Sequence, residues 1–428
     1  DLFVDGTDLW VGSASTNWWG NIQNPRISLL DANGSWSNWN GGQGNIPNGF
    51  PISFTLCNGI VNVAMSNNNN GGIARYDGSS GTWLSAFTHN GGDLSDDTPD
   101  AVTCDDTDTL YVGYYDNGIG IDRYSYSNSR WMPTLDNSNS GISNDGLWWD
   151  SIAWDNGQLL LGHKSGTSGG GGNAQVSYGG FSLIAARGAN FGQANVVNQG
   201  SAVTDIDMMS TGWFVSAAGS DSGYSHIDVL NQNGLNTFTA LPGLVNGRVV
   251  EMIGNSTHVW AVTADAYAQG RGVLQGMLLP NGSVEWEMGW SSYGGNINEI
   301  LLVDEILFVS LSGIGLARYD TITDVANIVP QGLNQFTDGL AMHGDDVVVG
   351  LQGTWASAAG VEVWNTTTNQ WTMGRLISGL PTNIINDFAL TTTHILIATE
   401  GRLCTWNLRQ NDWYTPLTSP THLDPPHL

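Results

Sequence analysis

The stretch AVTCDDTDTLYVG (Ala101–Gly113) decides the fold, because an apolar strand, a tight polar turn and a second apolar strand follow each other within it. Its β-branched and aromatic residues form short runs that Asp and Gly interrupt, a pattern typical of a β-hairpin. No window of the chain holds the 3.6-residue period of a helix. The sequence therefore predicts an all-β protein.

The same hairpin recurs from one end of the chain to the other, which makes nine copies. The other eight read LFVDGTDLWVG from Leu2, SFTLCNGIVNVA from Ser53, SIAWDNGQLLLG from Ser151, IDMMSTGWFVSA from Ile206, MIGNSTHVWAV from Met252, ILLVDEILFVSL from Ile300, GLAMHGDDVVVG from Gly339 and FALTTTHILIAT from Phe388. Several copies continue into a second hairpin that closes on Trp, as in GVEVWNTTTNQW, which ends at Trp371. Each unit therefore contains four short strands.

The spacing of the copies predicts a β-propeller of four-stranded blades. The copies start near residues 1, 52, 100, 150, 205, 251, 299, 338 and 387, about 48 residues apart on average. We expect a single propeller over residues 1–418 with nine blades; seven or eight blades, or a solenoid, are the alternatives. The Pro-rich segment 419–428 is expected to form a tail.

The ninth copy resembles the repeat of two-component-regulator propellers. It reads GLPTNIINDFALTTTHILIATEGRLCTWNLRQNDW (Gly379–Trp413), and the family repeat combines a G-L-P-x-N start, an apolar strand, L-W-x-G-T, G-L-x-x-[YW] and a closing Trp. GISNDGLWWDSIAWDNGQLLLG (Gly141–Gly162) and GGIARYDGSSGTW (Gly71–Trp83) resemble it more loosely. The resemblance implies an extracellular sensor or binding propeller, and it supplies no catalytic motif.

The charge balance excludes several classes of partner. With 12 Lys and Arg against 39 Asp and Glu, the net charge is −27, so the chain lacks the basic surface that nucleic acid or an anionic membrane requires. No apolar run is long enough to span a bilayer, and we expect no direct membrane insertion. The acidity and the N-x-[ST] sequons favour an extracellular or cell-surface location; the sequons lie at Asn33, Asn255, Asn281 and Asn365.

Three cysteines, Cys57, Cys104 and Cys404, are too few for a disulfide framework or a Cys-rich zinc module. A bridge between Cys57 and Cys104 is one option that their positions leave open.

Acidic residues precede the first strand in eight of the nine copies, and Ile52 breaks the pattern in the second copy. They are Asp1, Asp100, Asp150, Asp205, Glu251, Glu299, Asp338 and Asp387. Because first strands line the channel of a propeller, the pattern predicts a carboxylate ring at one channel mouth. Such a ring would attract hard cations, Ca²⁺ first. Alternatively, each carboxylate accepts backbone N–H groups of the neighbouring blade.

Six tryptophans fall outside the regular strand positions, on loops that would share the face of the acidic ring. They are Trp18, Trp19, Trp148, Trp149, Trp290 and Trp355. The longest connections, including residues 40–48 and 90–99, are expected on that face too. Aromatic residues on long loops of a rigid scaffold are typical of a binding surface for a sugar or a protein, although they also cap blade ends as local core.

Three arginines, Arg75, Arg123 and Arg318, occupy the same third-strand position of separate copies, which makes an arginine cluster around one catalytic site unexpected. The sequence thus favours a binding scaffold for a glycan or a protein. One alternative is a glycoside hydrolase or polysaccharide lyase that uses two ring carboxylates as acid and base. The other is a structural module of a surface layer or an extracellular filament.

Overall fold

The fold is that of a computed structural model of the chain. The described residues are 2–6, 8–16, 22–31, 33, 35–67, 70–114, 119–136, 138–142, 147–155, 157–163, 166–168, 175–177, 180–192, 195–198, 202–209, 212–218, 226–231, 236–240, 247–265, 272–279, 284–291, 296–329, 337–351, 360–376, 385–390, 394–399, 403–407 and 412–414. These residues form strands and turns and contain no helix. The prediction of an all-β fold is therefore confirmed.

Each of the nine sequence copies forms one antiparallel sheet. Among the described residues, eight sheets have four strands in sequential order and the fourth sheet has five. Such a meander is the blade of a β-propeller, so the predicted fold class is confirmed.

The first three sheets are regular meanders. The first contains β1 (Leu2–Asp5), β2 (Asp8–Thr16), β3 (Ile22–Leu30) and β4 (Trp36–Asn40). The second contains β5 (Phe50–Cys57), β6 (Ile60–Ser66), β7 (Gly72–Asp77) and β8 (Thr82–Phe87). The third contains β9 (Pro99–Cys104), β10 (Thr109–Tyr114), β11 (Ile121–Ser125) and β12 (Arg130–Leu135).

The fourth sheet carries an insertion between its second and third long strands. It contains β13 (Leu147–Asp155), β14 (Gln158–His163), β17 (Gly180–Arg187), β18 (Asn190–Phe191) and β19 (Asn195–Asn198). The inserted ribbon pairs β15 (Gly166–Ser168) with β16 (Gln175–Ser177). The fifth sheet contains β20 (Ala202–Met209), β21 (Gly212–Ala218), β22 (His226–Asn231) and β23 (Asn236–Ala240).

The last four sheets repeat the meander. The sixth contains β24 (Gly247–Gly254), β25 (His258–Asp265), β26 (Gly272–Leu278) and β27 (Val284–Ser291). The seventh contains β28 (Asn296–Val303), β29 (Ile306–Ser312), β30 (Gly315–Asp320) and β31 (Val325–Ile328). The eighth contains β32 (Thr337–His343), β33 (Asp346–Leu351), β34 (Gly360–Asn365) and β35 (Gln370–Leu376). The ninth contains β36 (Ile385–Leu390), β37 (His394–Thr399), β38 (Leu403–Asn407) and β39 (Asp412–Tyr414).

The chain divides into two compact units, and the division passes through the fifth sheet. One unit is Asp1–Ile206 with Val215–His226, and the other is Asp207–Phe214 with Ile227–Leu428. Within each unit the first strands of consecutive sheets lie side by side, as in the pairs β5 and β9, β9 and β13, β28 and β32, and β32 and β36. The single ring over residues 1–418 stays a prediction, and the predicted tail 419–428 lies outside the described residues.

Aromatic side chains fill the space between the first and second sheets. Trp10, Trp39, Tyr76 and Trp83 form one cluster with ring centroids 4.9 to 6.2 Å apart, mostly edge to face. These residues are core or interface positions, as their regular places in the repeat indicate. The three tryptophans of this cluster therefore pack between blades.

Candidate functional site

The predicted acidic residues lie inside the first strands rather than ahead of them. Asp100 is in β9, Glu299 is in β28, and the other placed members are Asp150 in β13, Asp205 in β20, Glu251 in β24, Asp338 in β32 and Asp387 in β36. The positions expected ahead of the strands were wrong, because each strand begins before the acid, and six of the seven strands contain a β-bulge near it. Asp1 lies outside the described residues.

The acids do not share one register. Asp100 is the extra residue of its bulge, since Pro99 pairs with Tyr114 and Ala101 with Gly113. Glu251, Glu299 and Asp387 follow the extra residue and pair with the second strand of their sheet. Side chains at neighbouring positions of a strand point to opposite faces of the sheet. One ring of eight equivalent carboxylates therefore stays a prediction.

The position after the bulge links neighbouring sheets. Glu299 Oε2 accepts the backbone N–H of Leu340 in the eighth sheet at 2.6 Å. Ser53 Oγ in the second sheet accepts the N–H of Val102 in the third sheet at 3.2 Å. Both bonds satisfy an N–H of the neighbouring first strand. The alternative expectation, that an acidic residue accepts a backbone N–H of the neighbouring blade, is therefore observed for Glu299.

The three third-strand arginines also join neighbouring sheets. Arg75 Nε donates to Tyr126 Oη at 3.1 Å, Arg123 Nη1 donates to the carbonyl oxygen of Gly188 at 3.2 Å, and Arg318 Nη1 donates to Asn369 Oδ1 at 2.8 Å. Their strand registers are equivalent, as predicted. These three guanidinium groups form hydrogen bonds between blades and are not grouped at one site.

Asp105, in the turn between β9 and β10, is a buried carboxylate between the third and fourth sheets. Its Oδ1 accepts the N–H groups of Thr107 and Thr109, and its Oδ2 accepts the N–H of Gly188 at 2.6 Å and the hydroxyl of Tyr111 at 3.0 Å. Burial alone would raise the pKa of Asp105, but hydrogen bonds from Gly188, Thr107 and Thr109 outweigh it and lower the pKa. Asp105 therefore holds the third and fourth sheets together.

Three of the six tryptophans that were expected on loops belong to strands, so the loop placement was wrong for these three. Trp148 and Trp149 belong to β13, and Trp290 belongs to β27, although nothing is described of their side chains. Trp18, Trp19 and Trp355 lie outside the described residues. Their role on the binding face stays a prediction.

The sequons differ in how far their side chains are engaged. Asn365 Nδ2 donates to Asp346 Oδ1 at 2.8 Å, and Asn255 Oδ1 accepts the N–H groups of Thr257 and His258. Asn33 is exposed in the turn between β3 and β4, and Asn281 lies outside the described residues. Of the described sequons, Asn33 therefore offers the most accessible amide.

Cys57 and Cys104 form a disulfide, with their Cα atoms 5.5 Å apart. It joins the ends of the first strands β5 and β9, and thus the second and third sheets. The sequence left this bridge as an option, and the structure contains it.

The best candidate site is a cleft of about 500 Å³ at one end of the second sheet, which we call the loop cleft. Two inter-sheet connections and the β6–β7 loop line it, with the residues Gly42, Pro47, Asn48, Asn70, Gly71, Thr88, Asn90 and Asp97. The connections overlap the long segments 40–48 and 90–99 that were expected on the binding face. Three chain segments far apart in sequence thus meet at one place.

Backbone hydrogen bonds hold the walls of the loop cleft together. The N–H of Asn48 donates to the carbonyl oxygen of Asn70 at 3.1 Å, and the N–H of Asn67 donates to that of Asp97 at 3.3 Å. Gly71 permits this approach, because a Cβ there would lie 1.8 Å from the Asp97 carbonyl oxygen. The cleft is therefore built by the fold rather than by loose loops.

Asp97 is the unusual group of the loop cleft. Its Oδ1 is buried, and none of the described residues donates a hydrogen bond to it. A buried acceptor without a partner is costly and is rare in native proteins.

Metal coordination is not apparent in the part of the chain that the structure describes. Within it, no three His, Cys, Asp or Glu side chains are grouped closely enough to hold an ion. Most side chains of the predicted acidic ring lie outside that search, so the Ca²⁺ hypothesis stays a prediction.

The described residues form no helix that could cross a membrane.

No protein family model matches the chain, and no curated protein matches it. Among solved structures, the computationally designed Ika8 protein is similar over 84% of this chain and 96% of that chain, with a TM-score of 0.50 and 13% identity. The extracellular domain of the one component system BT4673 from B. thetaiotaomicron is similar at a TM-score of 0.35, 11% identity and 97% of this chain. This chain spans 65% of that domain. At these identities the similarities concern the fold alone, and of these two only the first reaches a TM-score of 0.50.

Proposed function

We propose that the protein is an extracellular or cell-surface β-propeller that binds a glycan or a protein through its loop-rich face. The loop cleft is the part of this face that the described residues define. The disulfide between Cys57 and Cys104 supports an oxidising location, because such bridges are rare in reducing compartments. The predicted aromatic residues, Trp18 and Trp148 among them, would extend the same face.

The observation that carries the proposal is a cleft with hydrogen-bonded walls whose lining includes the carboxylate of Asp97. A volume of about 500 Å³ is in the usual range of ligand sites. The exposed side chains of Asn48, Asn70 and Asn90 border the cleft and can both donate and accept hydrogen bonds.

The lining also limits the partner. It contains one carboxylate and no Lys, Arg or His, and the whole chain carries a net charge of −27. A phosphorylated or uronic-acid ligand would therefore be repelled. We infer that the bound group is neutral or cationic and donates a hydrogen bond to Asp97.

The substitution Asp97→Asn tests the proposal. It preserves the size of the side chain and replaces the charged acceptor by an amide, so binding should weaken about tenfold or more. The measurement is titration on glycan arrays and against partners recovered by affinity capture, with affinities of the purified pairs determined by calorimetry.

The control is Asp93→Asn, in the same connection but outside the cleft lining. It makes the same change in net charge and should bind like the wild type. Equal affinities of wild type and Asp97→Asn for every partner found would contradict the proposal, as would equal losses in the two variants.

A further inference from the structure

A second cleft, of about 380 Å³, opens between the outer strands of the first and second sheets, and we call it the rim cleft. Trp39 on β4 and Trp83 on β8 form its apolar part, and the connection that carries Gln43 and Asn45 closes it together with Asn40. All of its lining side chains are uncharged. The rim cleft is lined by none of the residues that line the loop cleft.

The two indole rings have fixed positions. Trp39 stacks on the buried ring of Trp10, with centroids 6.1 Å apart and planes 18° apart. Trp83 meets Trp39 edge to face at 5.3 Å and 80°. Tyr76 also lies against Trp39, with ring centroids 5.4 Å apart, and the exposed part of this half-buried ring borders the cleft. This is a rigid apolar platform.

Neighbouring groups also orient two amides of the rim cleft. Arg26 Nε donates to Asn40 Oδ1 at 3.3 Å, and a guanidinium can only donate, so the amide NH₂ of Asn40 is left as a donor. Asn45 Nδ2 donates to the carbonyl oxygen of Trp83 at 3.0 Å, which leaves its Oδ1 as an acceptor. The exposed side chain of Gln43 can do either. A donor and an acceptor thus flank one aromatic surface.

We propose that the rim cleft binds a neutral saccharide. The apolar face of a pyranose ring would lie on Trp39, one hydroxyl would accept from Asn40, and a neighbouring hydroxyl would donate to Asn45. Each hydroxyl group both donates and accepts, which matches this pair of amides. Acidic sugars are disfavoured because the chain has a net charge of −27 and the guanidinium beside the cleft, that of Arg26, already donates to Asn40.

Saturation-transfer NMR and intrinsic Trp fluorescence provide the first test. The probes are neutral hexasaccharides of β-1,4-glucose, β-1,3-glucose, β-1,4-mannose, β-1,4-xylose and α-1,4-glucose, with hexagalacturonate as the acidic comparison. At least one neutral probe should bind with a Kd of about 1 mM or lower, and hexagalacturonate should bind at least tenfold more weakly. Saturable binding to none of the neutral probes, or equal binding of the acidic one, overturns the proposal.

The substitution Asn40→Asp locates the site. The carboxylate still accepts from Arg26, so the sheet is preserved, but the donor to the sugar is lost and affinity should fall about tenfold or more. Asn33→Asp, in the exposed turn at the other end of the same strand, adds the same charge and should leave affinity unchanged. Wild-type affinity in Asn40→Asp, or equal losses in both variants, rejects the rim cleft as the sugar site.

Neither variant changes a residue that lines the loop cleft. If sugar binding is lost in Asn40→Asp and is normal in Asp97→Asn, the result supports the rim cleft and not the loop cleft. If binding is normal in Asn40→Asp and is lost in Asp97→Asn, the result supports the loop cleft and not the rim cleft. Binding of a peptide instead of any sugar, if lost in Asn40→Asp, would contradict the saccharide proposal.

Discussion

Single polar side chains join neighbouring sheets at several places. Asp105 connects the third sheet to Gly188 of the fourth, Glu299 connects the seventh sheet to Leu340 of the eighth, and Arg318 connects the same pair of sheets through Asn369. Charged groups form stronger hydrogen bonds than neutral ones, and their removal leaves buried partners unsatisfied. Some of the acidic residues thus hold neighbouring blades together.

The substitution Asp105→Asn should destabilise the first unit by about 2 kcal/mol at pH 7, because an amide cannot accept all the hydrogen bonds that the carboxylate accepts. The pKa of Asp105 is lowered in the folded protein, so its contribution to stability is present above the unfolded value of about 3.9 and is lost as pH falls through the folded value. Urea unfolding at pH 7 and pH 3 measures this. A difference between wild type and variant that does not shrink at the lower pH would contradict the assignment.

Strand ends are joined covalently in the second and third sheets. The Cys57–Cys104 bridge closes a segment of 47 residues between β5 and β9. Because the same strands also pack side by side, the bridge restrains an interface that the folded chain already forms. In the chain-entropy description its main effect is on the unfolded chain.

Reduction of this bridge should lower the free energy of unfolding of the first unit by about 2 to 4 kcal/mol. Denaturant unfolding followed by Trp fluorescence, with and without a phosphine reductant, measures the change. The double variant Cys57→Ser with Cys104→Ser should match the reduced wild type and should not respond to the reductant. A response of that variant equal to that of the oxidised wild type would assign the effect to another cause.

The whole molecule carries a large excess of negative charge. Against the net charge of −27, the described residues contain a single ion pair, Arg187 with Asp106. Exposed carboxylates that lack nearby cations repel one another and destabilise the compact state. Mobile salt ions reduce this repulsion, since the screening length falls from about 10 Å at 0.1 M to about 3 Å at 1 M.

The melting temperature should therefore rise by several degrees when NaCl is increased from about 0.1 M to about 1 M. Scanning calorimetry measures it, with sucrose as a control for effects unrelated to charge. If the acidic residues of the other blades also accept backbone N–H groups, as Glu299 does, CaCl₂ should act no more strongly than NaCl at equal ionic strength. A larger rise with millimolar Ca²⁺ would support the cation-binding ring instead.

Most of the fold could be predicted from the sequence. Strand alternation, the recurring hairpin of Ala101–Gly113 and the spacing of the copies depend on local patterning and repetition, which a single chain displays directly. The same patterns placed the acids immediately ahead of the first strands, whereas the strands begin one to four residues before them. They also singled out the long connections 40–48 and 90–99, residues of which line the loop cleft.

The register and the clefts depended on the tertiary structure. A bulge adds one residue to a strand without interrupting its apolar pattern. Alignment of the sequence copies therefore placed Asp100 and Glu299 at the same position, although they pair differently with the second strand of their sheets. The unsatisfied oxygen of Asp97 arises where segments distant in sequence meet, and the donor left on Asn40 depends on Arg26 across a strand pair. Repetition along the chain determines the blades, whereas the chemistry of each cleft is decided by contacts across sheets and loops.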